Sequence, residues 1–299
     1  METYEILRDL AIILLSAKLC AMAARKLKFP QVAGQIVAGL IIGPCFLSLV
    51  QPSDFITKMA EIGVILVMFS AGLETDLKDL IKTGPKALAI ACSGVFVPFA
   101  LGALLYFAFY GFEGIGTTSF YAAMSIGAIM TATSVSITVA ALQELGKLKG
   151  TVGTTILSSA IIDDVIGIIV LTVVIGFKNP DVKPSMVIIK TILFFIVAIL
   201  GGMIAYKFFK WLDNRNPHTQ RIPIFGFVLC FALAYLAEKY FGIADITGAY
   251  VAGIVLCSLD DADYINRKTH ISIYMIFAPT FFVGIGLKTT FDNVNATLL

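Results

Sequence analysis

Ten apolar stretches, separated by short polar connections, run the length of the 299-residue chain. They lie at about residues 5–24, 31–50, 57–73, 86–110, 119–142, 151–177, 185–206, 222–240, 244–259 and 270–287. Each is close to the roughly 20 residues that an α-helix needs to cross a bilayer. The pattern predicts an all-α polytopic membrane protein. Pro30, Pro52, Pro85, Pro180, Pro184, Pro217 and Pro223 sit at or near the junctions, where a missing backbone N–H costs little. Pro98 and Pro279 fall inside stretches, where kinks are expected.

One stretch breaks the apolar rule at its centre. Between Gly150 and Gly176, Asp163 and Asp164 stand 13 residues from either glycine (163 − 150 and 176 − 163), about 20 Å from each end at the helical rise. An ionised carboxylate at that depth costs at least about 2.5–3.5 kcal/mol unless compensated. Such a pair must be protonated, paired or reached by water, and all three conditions point to ion handling. Neighbouring residues on a helix diverge by about 100°. One aspartate is therefore expected to face the ion path, and the other a neighbouring helix, where a cationic partner would suit it. A carboxyl can hold a proton or a small cation but not both, which is the chemical basis of cation/proton exchange. The two acids should titrate as a coupled pair.

Upstream, the run from Ser125 to Thr138 carries hydroxyls at Thr131, Thr133, Ser134, Ser136 and Thr138. Hydroxyls in membrane helices often bond the preceding turn and allow close helix approach. Beside an Asp-Asp helix, a second role is favoured: a helix broken near Thr131–Ser134, its hydroxyls and half-helix ends exposed to a site at mid-membrane. Irregular backbone survives at that depth only in protein or against a cavity.

Laid against itself, the chain repeats. Gly34–Ile41 (GQIVAGLI) matches Gly248–Val255 (GAYVAGIV), an offset of 214 (248 − 34), and Ala71–Thr75 (AGLET) matches Ile285–Thr289 (IGLKT) at the same offset (286 − 72). The Gly34/Ala38/Gly39 and Gly248/Ala252/Gly253 sets read as faces for tight helix packing. Lys and Arg are distributed fourteen to seven between alternate connections, with Lys18 within the first stretch. This bias favours an external N-terminus. The two copies then run in opposite directions, as in secondary transporters. The same offset would place a counterpart of Asp163 near position 377 (163 + 214), past Leu299, so the second repeat is expected to be cut short.

Composition agrees: mean hydropathy is +0.91, and only 14% of residues are charged. The net charge of +2 speaks against a nucleic-acid partner. Met1–Asp9 lacks a basic leader, so no cleavable signal is expected. The five cysteines form no CxxC pair, and His218 and His270 fall in expected loops, where they would be solvated. Glu74, Asp76, Glu238 and Asp245 lie near stretch ends and are expected to meet water. Lys18 is expected to snorkel. No nucleophile–base set or metal motif supports an enzyme.

At these residues the chain resembles the bacterial monovalent cation/proton antiporters of the CPA2 branch, which include Na⁺/H⁺ exchangers and potassium-efflux relatives. The markers are Phe29–Pro44, Phe69–Asp76, Thr131–Ser136, Ile162–Val165 and Pro279–Leu287. The resemblance implies an inverted-repeat fold with about ten of thirteen membrane helices present, all of 1–299 forming one incomplete exchanger domain. It implies a homodimer in the inner (plasma) membrane, with a scaffold unit and a mobile core. It places the ion-binding carboxylate at Asp164, which would hold Na⁺ transiently, and a tuning carboxylate at Asp163. It sets the broken helix at Thr131–Ser134, with Thr131 and Thr133 helping to ligate. No cofactor is implied beyond the transported Na⁺ (or K⁺ or Li⁺) and H⁺. The rival readings are a sodium-coupled organic-anion transporter of the same fold and an inactive or regulatory membrane fragment.

Overall fold

A computed structural model describes residues 3–131, 133–178, 184–215 and 221–289, all helix and connection. In order come α1 (Thr3–Lys26), α2 (Gln31–Ile42), α3 (Asp54–Glu74), α4 (Leu77–Tyr110), α5 (Thr118–Thr131) and α6 (Val135–Glu144). They are followed by α7 (Thr151–Lys178), α8 (Pro184–Arg215), α9 (Arg221–Leu236), α10 (Asp245–Leu256), α11 (Ala262–Ser272) and α12 (Ala278–Leu287). A π-helical turn, Ala237–Phe241, prolongs α9, and another, Ile273–Phe277, joins α11 to α12. Pro279 has no N–H to give to the carbonyl four residues back, and the wider turn just before it absorbs that break.

Among the described residues, seven helical stretches are long and apolar enough to cross a membrane: Asp54–Glu74, Leu77–Tyr110, Thr118–Glu144, Thr151–Leu171, Ser185–Leu212, Arg221–Phe241 and Ala262–Leu287. Three boundaries differ from the sequence reading. The second stretch stops as a helix at Ile42, because Pro44 pushes Gly43 into extended backbone (φ −81°, ψ −174°). Helix α4 starts at Leu77, so Pro85 lies inside a helix rather than at a junction. Its start is capped by Asp76, whose carboxylate accepts the backbone N–H groups of Lys78 (2.8 Å) and Asp79 (3.4 Å). Helix α11 begins at Ala262, which puts His270 in a helix and not a loop. His218 lies outside the described residues.

The repeat is visible in three dimensions. Helices α2 and α10 are both 12 residues long with bounds 214 apart (245 − 31, 256 − 42); each alone spans about 18 Å. Each crosses a longer helix of the other copy at a glycine. A Cβ on Gly39 would lie 2.1 Å from the carbonyl oxygen of Val283 and 2.9 Å from Cα of Gly286. One on Gly253 would lie 2.4 Å from the carbonyl oxygen of Phe69 and 2.7 Å from Cα of Gly72. Every residue of the second crossing is the first shifted by 214, with the copies exchanged.

Contact order gives the directions. Gly39 and Gly43 meet Val283 and Leu287 in the same sense, so α2 and α12 are parallel. Gly63 meets Phe277, while Gly284 meets Ala60, so α3 and α12 are antiparallel. Gly72 meets Gly253, and Thr75–Asp76 flank the same cavity as Cys257–Ser258, so α3 and α10 are parallel. It follows that α10 runs opposite to α2 and the repeat is inverted.

Helix α3 is the axis of the main core, where Met68, Phe69, Tyr250, Leu256 and Phe282 are fully buried. Around it pack α9, α10, α11 and α12, with α2 against α12 and α1 against α2 and α12. A second bundle consists of α4, α5 and α7, each packed on the other two. Helix α6 touches both bundles, meeting α2 and α3 on one side and α7 on the other.

Candidate functional site

The site bundle owes its close packing to small residues. Gly102 of α4 and Gly127 of α5 cross so closely that a Cβ on Gly127 would sit 2.5 Å from the carbonyl oxygen of Phe99. Helix α7 carries several hydroxyls, and those of Thr155, Ser158 and Ser159 bond back to their own helix. Ser158 donates to the carbonyl of Thr154 (2.6 Å) and Ser159 to that of Ile156 (2.8 Å). Bonds of this kind satisfy those two donors within the helix, whereas the buried Oγ1 of Thr154 has no hydrogen-bond partner among the described residues.

Asp163 is 8% exposed. Its Oδ2 accepts a hydrogen bond from Oγ1 of Thr133 at 3.0 Å, across 30 residues of chain. Its Oδ1 faces α4 at Gly94, where a Cβ would lie 3.5 Å away. Any side chain larger than alanine there would claim the carboxylate's space. Asp164 is half-buried, and among the described residues its carboxylate has neither a hydrogen bond nor an ion pair. The two acids do differ as the 100° divergence demands. The neighbour that Asp163 finds is a hydroxyl, whereas the sequence reading expected a cation.

The helix is broken where the hydroxyl-dense run predicts. Helix α5 ends at Thr131 and α6 starts at Val135, with Ser134 at its cap position (φ −92°, ψ 96°) making no side-chain cap bond. The open carbonyls of α5 and the open N–H groups of α6 thus meet at the level of Asp163. The positive end of the α6 dipole favours a carboxylate there. Thr131 is buried and donates to the carbonyl of Ala128 (2.8 Å), which leaves its oxygen able to accept or ligate. Thr133 and Ser134 are exposed. The structure therefore brings Thr133 onto Asp163, places Thr131 one side chain from Gly167 on α7 (3.9 Å from a Cβ there), and gives Ser134 no bond to either aspartate.

Gly94 was not legible in the sequence: a lone glycine in an apolar run carries no pattern. Lys18 is exposed on α1. Glu74 is not simply solvated. It is half-buried and accepts hydrogen bonds from Asn266 and Gln143. The five cysteines are free. Among the described residues no three His, Cys, Asp or Glu side chains group to hold a resident metal.

The profile of the family described as sodium/hydrogen exchanger, transmembrane, matches residues 11–299. The probable Na⁺/H⁺ antiporter GerT of Bacillus cereus is 36% identical over 294 residues, covering 97% of this chain and 76% of that protein. The Na⁺/H⁺-K⁺ antiporter GerN of the same organism is 36% identical over 293 residues, covering 97% and 73%. The solved sodium proton antiporter MjNhaP1 of Methanocaldococcus jannaschii, at pH 8, superposes with a TM-score of 0.65 at 21% identity, over 96% of this chain and 71% of that one.

Proposed function

The chain belongs to the sodium/hydrogen exchanger family, and from that premise we propose how its geometry serves exchange, with Asp164 as the group that carries cation and proton in turn. It is a secondary transporter that exchanges monovalent cations for protons across a membrane. The observation that carries the assignment is the contrast within the pair: Asp163 is engaged by Thr133, while Asp164, in mid-helix and half-buried, has no hydrogen bond or ion pair among the described residues. A carboxylate without a fixed partner is free to take a proton or a desolvated cation. One with a hydroxyl on it is suited to stay charged and shape the field. Thr133, Thr131 and Ser134 offer oxygens at the break, and the α6 N-terminus balances the charge of Asp163.

Na⁺ is the assigned cation, with K⁺ as the second candidate; GerT and GerN, whose names include those ions, support this choice. The ions are substrates and no cofactor enters. The excess of Lys and Arg on alternate connections supports an external N-terminus in a plasma membrane. The chain acts as one transmembrane unit and pairs with a second copy.

Competition for one carboxyl makes a direct prediction. As pH falls below the range in which the site ionises, the apparent KM for Na⁺ rises by about tenfold per pH unit while Vmax holds, because the ligand must be deprotonated to bind. Initial rates of Na⁺-driven proton movement in everted vesicles at several pH values test this. A KM independent of pH would overturn single-site competition. Thr133→Val removes the hydroxyl from Asp163 and should weaken Na⁺ about tenfold, the scale of a hydrogen bond to a charged group. Thr133→Ser should restore it. Isothermal titration or KM measurements on the reconstituted protein would show the difference.

A further inference from the structure

We propose that Gln143, clasped between Glu74 and Tyr274, is a positioning residue for exchange: it docks the far end of α6 on the scaffold and thereby sets Thr133 against Asp163.

The clasp joins four segments. The Ser70 hydroxyl donates to Oδ1 of Asn266 (2.8 Å), and the Asn266 amide donates to Oε1 of Glu74 (3.0 Å). From the other side the Gln143 amide donates to the same Glu74 oxygen (3.4 Å), while its own Oε1 accepts from the hydroxyl of Tyr274. Every donor in the chain points one way, toward the Glu74 carboxylate. One residue on, Glu144 Oε2 accepts the backbone N–H of Gln31, at the first turn of α2, at 2.6 Å. Glu74, Asn266, Tyr274 and Gln31 all belong to the bundle around α3. Gln143 and Glu144 alone come from the broken helix.

The lever is short and stiff. Helix α6 runs from Val135 to Glu144, so Gln143 stands about 12 Å from the break. Helix α6 packs on α2 and α3 as well as on α7, which makes it a bridge between the site bundle and the scaffold. Fixing its far end fixes the near end, where Thr133 reaches Asp163.

The chemistry of the clasp suits a contact that opens and closes. The glycine crossings that hold the scaffold together are backbone against backbone and cannot be reversed cheaply. A side-chain hydrogen bond has a small net worth because water can replace it. Water has room to do so. Gln143 and Tyr274 line a cavity of about 240 Å³ together with Gln31, Glu144 and His270, whose ring stacks on Tyr274 at 3.9 Å. The π-helical turn that carries Tyr274 toward Gln143 is of the kind that often marks functional positions.

The test is a double-mutant cycle of Tyr274→Phe and Gln143→Leu in the full protein. It is read by Na⁺-driven proton movement in vesicles and by amide hydrogen exchange of the reconstituted protein. Tyr274→Phe is expected to change the apparent KM for Na⁺ by about fivefold, the worth of one hydrogen bond, and to speed amide exchange across 135–144 while 54–74 stays protected. Gln143→Leu should do at least as much, and the double variant no more than Gln143→Leu alone. Gln143→Glu keeps the size but sets a second carboxylate against Glu74, and should behave like Gln143→Leu. Additive effects, or a Tyr274→Phe variant with wild-type KM and wild-type protection of α6, would overturn the proposal. So would a loss of Vmax and thermal stability together at constant KM, which marks a contact that is only structural. If Gln143→Leu does not fold, Tyr274→Phe, which deletes one oxygen, still decides. The inference rests on the exchange reading. Wild-type vesicles without cation-driven proton movement would defeat that reading, and α6 protection alone would then decide the clasp.

Discussion

Asp164→Asn should reduce Na⁺-driven proton movement in everted vesicles to background, while Asp163→Asn should leave a measurable fraction, about a tenth. The two substitutions are equal in volume and remove the same charge from adjacent positions, so any difference reports environment. Asparagine at 164 can neither take up a proton nor offer a full negative charge to a cation that has left its water, and the adjacent Asp163 carboxylate is turned instead to Thr133 and Gly94. A cation at mid-membrane without a counter-charge costs several kcal/mol, enough to take binding below detection. At 163 the asparagine oxygen still accepts the Thr133 hydroxyl, which sits 3.0 Å from the carboxylate. The local geometry therefore survives, and what is lost is a field acting on Asp164. The expected cost is that of a nearby charge, about one pK unit or tenfold. Equal loss in both variants would mean that the pair acts as one inseparable site. Full activity in Asp164→Asn would remove the assignment altogether.

These expectations were accessible early because the site announces itself by energetic cost. Two acids in an apolar run, and hydroxyls crowded from Thr131 to Thr138, are anomalies that composition alone exposes. The broken helix followed from them, and so did the crossing glycines, once GQIVAGLI was set beside GAYVAGIV. What the pattern hid was cheap or distributed. The true end of α2 at Ile42 depends on one Gly-Pro step inside a run that stays apolar to Val50. Pro85 reads as a junction residue because the polar start of α4, Leu77–Pro85, resembles a loop until Asp76 is seen to cap it. Glu74 reads as solvated in the sequence because its partners, Asn266 and Gln143, are 192 and 69 residues away. No periodicity encodes a hydrogen bond of that span. Gly94 gave no signal for the same reason: its meaning lies wholly in what α7 places opposite it.

The largest effect on folding is expected at the paired crossings. Gly39→Ala and Gly253→Ala should each destabilise the protein by about 2–3 kcal/mol, at the upper end of the usual cost of overpacking, and Gly→Val at either position should prevent recovery of folded protein. The reason is the identity of the opposing atoms. A methyl on Gly39 would stand 2.1 Å from the backbone oxygen of Val283, and one on Gly253 2.4 Å from that of Phe69. Both oxygens are already fixed in helices, so relief requires two rods to separate rather than one side chain to turn. Separation forfeits the close approach on which helix association in lipid depends, since burial from water gives no help there. Gly201, exposed on α8, is the control. A Cβ there meets nothing within 4 Å, so Gly201→Ala should leave the melting temperature in detergent unchanged or raise it slightly through helix propensity. The symmetry adds a sharper demand. Because Gly39 and Gly253 occupy equivalent positions of an inverted repeat, their alanine variants should lose similar amounts. The double variant should fall by the sum, since the two crossings share no residue. A Gly253→Ala protein that melts like wild type while Gly39→Ala does not would show that only one of the two crossings bears on stability, and the equivalence of the repeats would then be one of shape without shared energetics.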